Sequence, residues 1–115
     1  MQLEVDSEPL TTDPEMSKNE RYMSNMASFK KYTSRLGEAM ELSRIELGDS
    51  VEALCQKTGL TREEADDLRN GIARRQYILN VRIHSAMEIY CTYGLGAARG
   101  PEKRKQILEL CTYEP

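Results

Sequence analysis

Three glycines divide the middle of the chain into two short segments, and this spacing constrains the fold more than any other sequence feature. Gly48, Gly59 and Gly71 lie eleven and twelve residues apart. Glycine adopts the left-handed backbone conformation at little cost, so each segment can hold one short helix that ends at a glycine. Thr61 and Glu64 have the spacing of a capping box, which starts the second of these helices. The sequence predicts two short helices joined by a tight turn at Gly59.

Helical periodicity continues on both sides of these segments, because apolar residues recur at spacings of three and four. We predict six helices. The first starts near residue 17, the next four cover about 34–47, 51–57, 62–69 and 79–91, and a short C-terminal helix starts at Pro101. The apolar positions predicted to face inward include Tyr22, Met26, Phe29, Leu36, Ala39, Met40, Leu54, Cys55, Ala65, Leu68, Leu79, Ile83, Met87, Tyr90, Ile107 and Leu108. No alternating strand pattern competes, so the predicted class is all-α.

Charge is distributed unevenly along the chain, although the net charge is only −3. Residues 1–17 hold five acids, two prolines and no Lys or Arg, which predicts a disordered acidic tail before a single domain over 18–115 with its core at 35–91. Residues 38–67 hold nine acids against three bases, whereas residues 69–105 hold eight bases against two acids. The second of these regions is therefore the one expected to attract phosphate.

Several classes of protein are disfavoured by the composition. The three cysteines form no CxxC pair, which favours a reducing, cytoplasmic location. No run approaches the length of a membrane helix, so no membrane partner is expected. His84 is the sole histidine and has no ligand-spaced neighbour, and the glycine-rich run YGLGAARG does not match a phosphate-binding loop. We expect no metal, no cofactor and no enzymatic activity.

The run RLGEAMELSRIELGDSVEALCQKTGLTREEADDLRNG, residues 35–71, resembles the first three helices of the Cro and phage-repressor (XRE-type) helix-turn-helix family. The next predicted helix extends the resemblance to about residue 91. The positions that carry it are Leu36, Arg44, Leu54, Cys55, Gly59, Ala65, Leu68 and Asn70-Gly71. A generic turn between two helices of a bundle is the alternative interpretation. The resemblance implies a compact helix-turn-helix domain that binds double-stranded DNA as a dimer and regulates transcription, with the helix at about 62–69 in the major groove.

Candidate DNA contacts follow from that placement and from side-chain chemistry. Arg62 can donate to guanine, and Glu63 and Asp66 can accept from cytosine, so these three are the predicted base-reading residues. The predicted phosphate contacts are basic residues at or after the end of the helix, Arg69, Arg74, Arg75 and Arg82.

The acidic residues of this helix depart from the family pattern, which usually has polar or basic residues on that face. Glu63, Glu64, Asp66 and Asp67 are all carboxylates, and Val51 occupies the position of a frequent family Gln. Acids in a first helical turn stabilise the helix by charge alone, which accounts for Glu63 and Glu64. The alternative hypothesis is that the acidic 63–67 face, or the N-terminal helix, binds a protein partner instead of DNA. The N-terminal and C-terminal helices are candidate surfaces for a homodimer.

Overall fold

The computed structural model describes the backbone of residues 18–114 and the side chains of residues 25–114. The acidic segment 1–17, predicted to be a disordered tail, lies outside the described residues. Six helices follow one another: α1 Lys18–Leu47, α2 Val51–Thr58, α3 Arg62–Arg69, α4 Arg75–Ile78, α5 Val81–Ala97 and α6 Pro101–Leu110. The described residues contain no strand, which confirms the predicted all-α class.

The first helix is longer than the sequence pattern indicated. We predicted an N-terminal helix and a separate helix from about residue 34, but α1 runs without a break through 30 residues. The predicted boundary was wrong because residues 18–36 contain no glycine or proline that could interrupt the backbone hydrogen bonds. The helix ends at Leu47, and Gly48, which follows it, has the left-handed φ of 72°. Among the inward positions predicted for the N-terminal helix, Met26 is half-buried and Phe29 is exposed. The side chain of Tyr22 lies outside the described residues.

The core lies around α1, which packs against α3, α5 and α6. Most of the predicted inward positions are buried, namely Leu36, Ala39, Met40, Leu54, Ala65, Leu68, Ile83, Met87, Tyr90 and Ile107. Three predictions were wrong, since Phe29 is 41% exposed, Leu79 is 53% exposed and Leu108 is 54% exposed. Leu79 lies at the end of α4 and not within α5, and Ile107 occupies the buried position of α6 next to Leu108.

The segment between the predicted helices at 62–69 and 79–91 contains a helical turn of its own. This helix, α4, buries Tyr77 and Ile78. The next helix starts two residues later than predicted, because Asn80 caps it: its side-chain oxygen accepts a hydrogen bond from the backbone N–H of Ile83 at 3.1 Å. The start of α6 is confirmed, with Pro101 in its first turn, where the missing N–H has no cost.

Candidate nucleic-acid interface

The two short helices and their turn form as the sequence predicts. Ser50 caps α2, and Gly59 ends it with a φ of 77°. Thr61 and Glu64 form a complete capping box at the start of α3, with each side chain bonded to the other residue's backbone N–H at 3.1 and 2.9 Å. Gly71, also at a φ of 77°, follows the end of α3. Local sequence signals therefore determine where α3 begins and ends.

The position of α3 on the domain depends on a close approach to α1. Ala65 and Leu68 are fully buried on the inner side of α3. A Cβ atom added to Gly37 would lie 2.0 Å from the backbone oxygen of Leu68, so only glycine fits at this crossing. This contact leaves the opposite side of α3 at the surface, where Arg62 and Glu63 are exposed.

Arg62, the predicted guanine reader, is bound to carboxylates of its own chain. Its Nε lies 3.0 Å from Asp66 and its Nη1 lies 3.1 Å from Glu52 of α2. The Arg62 side chain is 58% exposed, so both ion pairs are in contact with water. Exposed pairs of this kind contribute about 0.2–1 kcal/mol each and exchange readily.

Arg69 belongs to a more enclosed network that joins α3 to α1. Its guanidinium lies 2.7 Å from Glu41 and 2.8 Å from Asp66, and its side chain is only 21% exposed. Arg44 bonds the same Glu41 carboxylate at 2.7 and 2.8 Å. The hydrogen bonds from Arg44, supported by Arg69, outweigh burial and lower the pKa of Glu41 to about 2. Glu41 is therefore ionised at neutral pH and connects two arginines.

Asp67 and Arg74 form the third set of contacts. The carboxylate of Asp67 accepts from Arg74 at 2.7 Å and from the Tyr77 hydroxyl at 2.6 Å. These bonds lower the pKa of Asp67, while burial and the same carboxylate raise the pKa of Tyr77 to about 12. The side chain of Asp67 therefore connects α3 to α4 and does not form part of an open acidic face.

The charged residues of α3 and the arginines predicted to contact DNA thus fall into four groups. Glu64 caps the helix, while Asp66 and Asp67 hold three of the predicted DNA-contacting arginines, Arg62, Arg69 and Arg74. Glu63 is exposed at the start of α3. Arg75 and Arg82 are exposed at the starts of α4 and α5, and among residues 25–114 no carboxylate lies within salt-bridge distance of either.

Sequence reasoning did not identify Glu41 and Tyr77 as members of this site. Glu41 and Arg44 have a favourable spacing of three on one helix, which is a signal that could have been noticed. The pairing of Glu41 with Arg69 and of Tyr77 with Asp67 joins residues 28 and 10 positions apart, and it follows only from the packing of the helices.

A second polar cluster outside this region joins the loop after α1 to α2 and α5. Asp49 accepts from the Tyr90 hydroxyl at 2.6 Å and from the Lys57 ammonium at 2.9 Å. The hydrogen bond from Tyr90 and the one from Lys57 lower the pKa of Asp49. Nearby, Leu47, Lys57, Thr92, Tyr93 and Gly96 line an open cleft of about 630 Å³. Among the described residues, the lining of this cleft includes no histidine or cysteine.

The cysteines and the histidine are placed in environments that do not activate them. Burial raises the pKa of Cys91 to about 12, and burial also raises the pKa of Cys55 and Cys111, so all three thiols stay protonated at neutral pH. Burial lowers the pKa of His84, whose Nε2 lies 2.8 Å from the Thr33 hydroxyl. Over the described part of the chain, no three His, Cys, Asp or Glu side chains come together as metal ligands could.

A search for membrane-crossing segments over the same residues finds no helix that combines the required length with the required apolar character. Comparison with known proteins finds no family model, no curated protein and no solved structure that matches the chain.

Proposed function

We propose that the chain is a DNA-binding transcriptional regulator of the XRE-like helix-turn-helix type. The observation that carries this proposal is the placement of α3: its inner side is fixed on α1 at Gly37, while Arg62 in its first turn remains 58% exposed. A short helix with a fixed inner side and an exposed N-terminal turn is the arrangement that a major-groove reading helix requires. In this proposal Arg62, Glu63 and Asp66 contact base edges.

The energies of the ion pairs permit Arg62 to take this role. Its exposed pairs with Glu52 and Asp66 are worth about 0.2–1 kcal/mol each. A bidentate contact with guanine discriminates by about 1–3 kcal/mol, so exchanging the pairs for a base is feasible. The released Asp66 carboxylate would then be able to accept from a cytosine amino group nearby.

Arg69 is a weaker candidate for DNA contact than the sequence suggested. Its side chain is 21% exposed and bonded to two carboxylates, so moving it to a phosphate would leave Glu41 with a single partner. We therefore assign phosphate contacts first to Arg75 and Arg82, then to Arg74, which would have to leave Asp67. Three phosphate contacts give weak binding per subunit, so the proposed DNA-bound form is a homodimer.

A matched pair of variants tests this assignment. Fluorescence anisotropy with a mixed-sequence duplex would compare two double variants. One carries Arg75→Ala and Arg82→Ala, and the other carries Lys103→Ala and Lys105→Ala. Both variants remove two positive charges from exposed positions. We expect the arginine variant to reduce the slope of log affinity against log salt by about 2, and the lysine variant to leave it nearly unchanged. Failure of the intact protein to bind at low salt, or equal losses in both variants, would contradict the proposal.

The second candidate function is binding to a basic protein surface through α3 and its neighbours. The observation that favours it is charge balance: the carboxylates of Glu52, Asp66 and Asp67 are paired with arginines, while Glu63 adds an exposed negative charge. The two functions predict opposite responses to Glu63→Lys. The substitution should strengthen binding to the mixed-sequence duplex if α3 faces DNA, whereas it should abolish binding to a basic partner such as a regulator or a polymerase subunit.

A further inference from the structure

Four exposed cations, Lys30, Lys31, Arg75 and Arg82, lie on α1, α4 and the first turn of α5, and these three helices pack against one another. We call these four residues the cationic end surface. Among residues 25–114, none of the four has a carboxylate within salt-bridge distance. The four charges are therefore available to an external anion or to another part of the chain.

Two hydrogen bonds bring these elements to the same end of the domain. The Ser34 hydroxyl donates to the backbone oxygen of Gly71 at 2.8 Å, which places the segment before α4 beside α1. The side chains of Thr33 and His84 meet at 2.8 Å, which places the start of α5 beside the same turn of α1. Lys30 and Lys31 lie in the preceding turn, and α4 packs against both α1 and α5.

Carboxylates lie on or beside the elements that carry these cations, and one of them, Glu114, lies 3.9 Å from Arg35 of α1. Asp67 is bonded to Arg74 and Tyr77, and Glu88 accepts from the Tyr32 hydroxyl at 2.7 Å. Glu38 lies beside Gly71. The cationic end surface therefore keeps a positive balance that these carboxylates do not remove.

Residues 1–17 have the charge and the length to cover this surface. They carry Glu4, Asp6, Glu8, Asp13 and Glu15 and no Lys or Arg. They join α1 at Lys18, about 18 Å along the helix from Lys30, given about 1.5 Å of rise per residue. Seventeen residues can extend to about 58 Å, so the acidic segment can reach all four cations.

We infer that residues 1–17 bind the cationic end surface of the same chain and compete there with DNA phosphates for Arg75 and Arg82. The contact itself needs only opposite charges held close by a covalent link, which gives an effective concentration on the order of millimolar. The competition with DNA rests on the proposed function. The acidic segment would act as an internal inhibitor whose effect falls as salt rises, because exposed charges are screened within about 10 Å at 0.1 M ionic strength.

The first test uses the full chain without DNA. Neutralising the five acids with Glu4→Gln, Asp6→Asn, Glu8→Gln, Asp13→Asn and Glu15→Gln should shift the NMR resonances of the cationic end surface. The resonances of Lys103 and Lys105, an equally exposed basic pair on α6, should not move. Unchanged resonances at Lys30, Lys31, Arg75 and Arg82 would overturn the inference, whether or not the protein binds DNA.

The second test measures affinity for a mixed-sequence duplex and separates local contact from total charge. Neutralising the five acids should raise affinity roughly three- to tenfold at low salt. This gain should largely disappear in the background Lys30→Gln with Lys31→Gln, and it should persist in the background Lys103→Gln with Lys105→Gln. An equal gain in both backgrounds would show an effect of net charge alone and would overturn the inference. Resonance shifts in the first test without duplex binding by any variant would support the internal contact and reject the proposed function.

Discussion

The two sides of α1 are joined to their neighbours by different chemistry. On the side that faces α3, Glu41 binds Arg69 and Arg44 in a charged network. On the side that faces α5, the contacts are mainly buried apolar side chains, with hydrogen bonds between Thr33 and His84 and from the Tyr32 hydroxyl to Glu88, and without an ion pair among the described residues. Both sides contain a close helix crossing at a glycine. A Cβ atom would lie 2.0 Å from the Leu68 backbone oxygen at Gly37, and 2.2 Å from the Ser43 side chain at Gly94.

The difference shows how one helix can support both a rigid core and an adaptable surface. The buried apolar contacts with α5 carry no charge, so they hold the domain together with little dependence on pH. Charged contacts with α3 depend on pH and salt, and their arginines can exchange a carboxylate for another anion. The proposed DNA-reading helix therefore lies on the side of α1 whose contacts respond to ions.

The largest predicted effect comes from Gly37→Ala, which breaks the crossing of α1 with α3. The added methyl group would meet backbone and not a flexible side chain, so α3 must move or the helices must separate. We expect a loss of about 3 kcal/mol in the free energy of unfolding, at the upper end of the usual cost of overpacking. Urea denaturation followed by circular dichroism would measure this loss.

Gly96→Ala is the matched control for this prediction, because a Cβ atom at Gly96 would meet nothing within 4 Å. Gly96 lies inside α5, where alanine favours the helix by about 0.5–1 kcal/mol. The control should therefore be neutral or slightly stabilising. Equal stability of Gly37→Ala and the wild type would show that the crossing can relax, and that glycine is not required there.

Sequence reasoning predicted the elements of α2 and α3 well because their boundaries depend on local chemistry. The capping box of Thr61 and Glu64 and the left-handed glycines act over a few residues, so they can be identified without the fold. The boundary at residue 34 was predicted wrongly because polar residues at a surface do not interrupt a helix when no glycine or proline is present.

The partners of the candidate site could be predicted only in part. Arg62 and Asp66 lie four residues apart on one helix, which is a spacing that favours an ion pair. The pair of Arg69 with Glu41, in contrast, requires the close crossing at Gly37. Exposure of α3 residues was inferred from a helical pattern, and that pattern does not show that Asp67 is held by Tyr77.

The next largest effect is expected from Glu41→Gln, which removes the charge shared by Arg44 and Arg69. The pKa of Glu41 is lowered from 4.5 to about 2, so its contribution to stability is present above pH 4.5 and is lost as pH falls toward 2. Because its side chain is 24% exposed, we discount the full shift for solvent screening and expect a loss of about 1–2 kcal/mol at pH 7. Urea unfolding at several pH values would show the wild type and variant converging near pH 2.

Glu46→Gln provides the control on the same helix, since Glu46 has no ion pair among residues 25–114. Its stability should stay close to that of the wild type at all pH values. A difference between wild type and Glu41→Gln that did not narrow in acid would mean that lost packing, and not lost charge, explains the Glu41 effect.

The smallest predicted effect concerns His84, on the side of α1 that faces α5. The Thr33 hydroxyl donates to the backbone oxygen of Phe29 at 2.8 Å, so it accepts from the Nε2–H of His84. Burial lowers the pKa of His84 below 6.5, which means that the unfolded chain takes up a proton first as the solution is acidified. Stability should therefore fall by less than about 1 kcal/mol as pH drops from 7.5 to 5.5, above the range in which Glu41 titrates.

His84→Gln keeps an amide donor for Thr33 and removes the titration, so unfolding of this variant should be nearly independent of pH across that window. If the wild type were equally stable at both pH values, burial would not be holding His84 neutral in the folded chain.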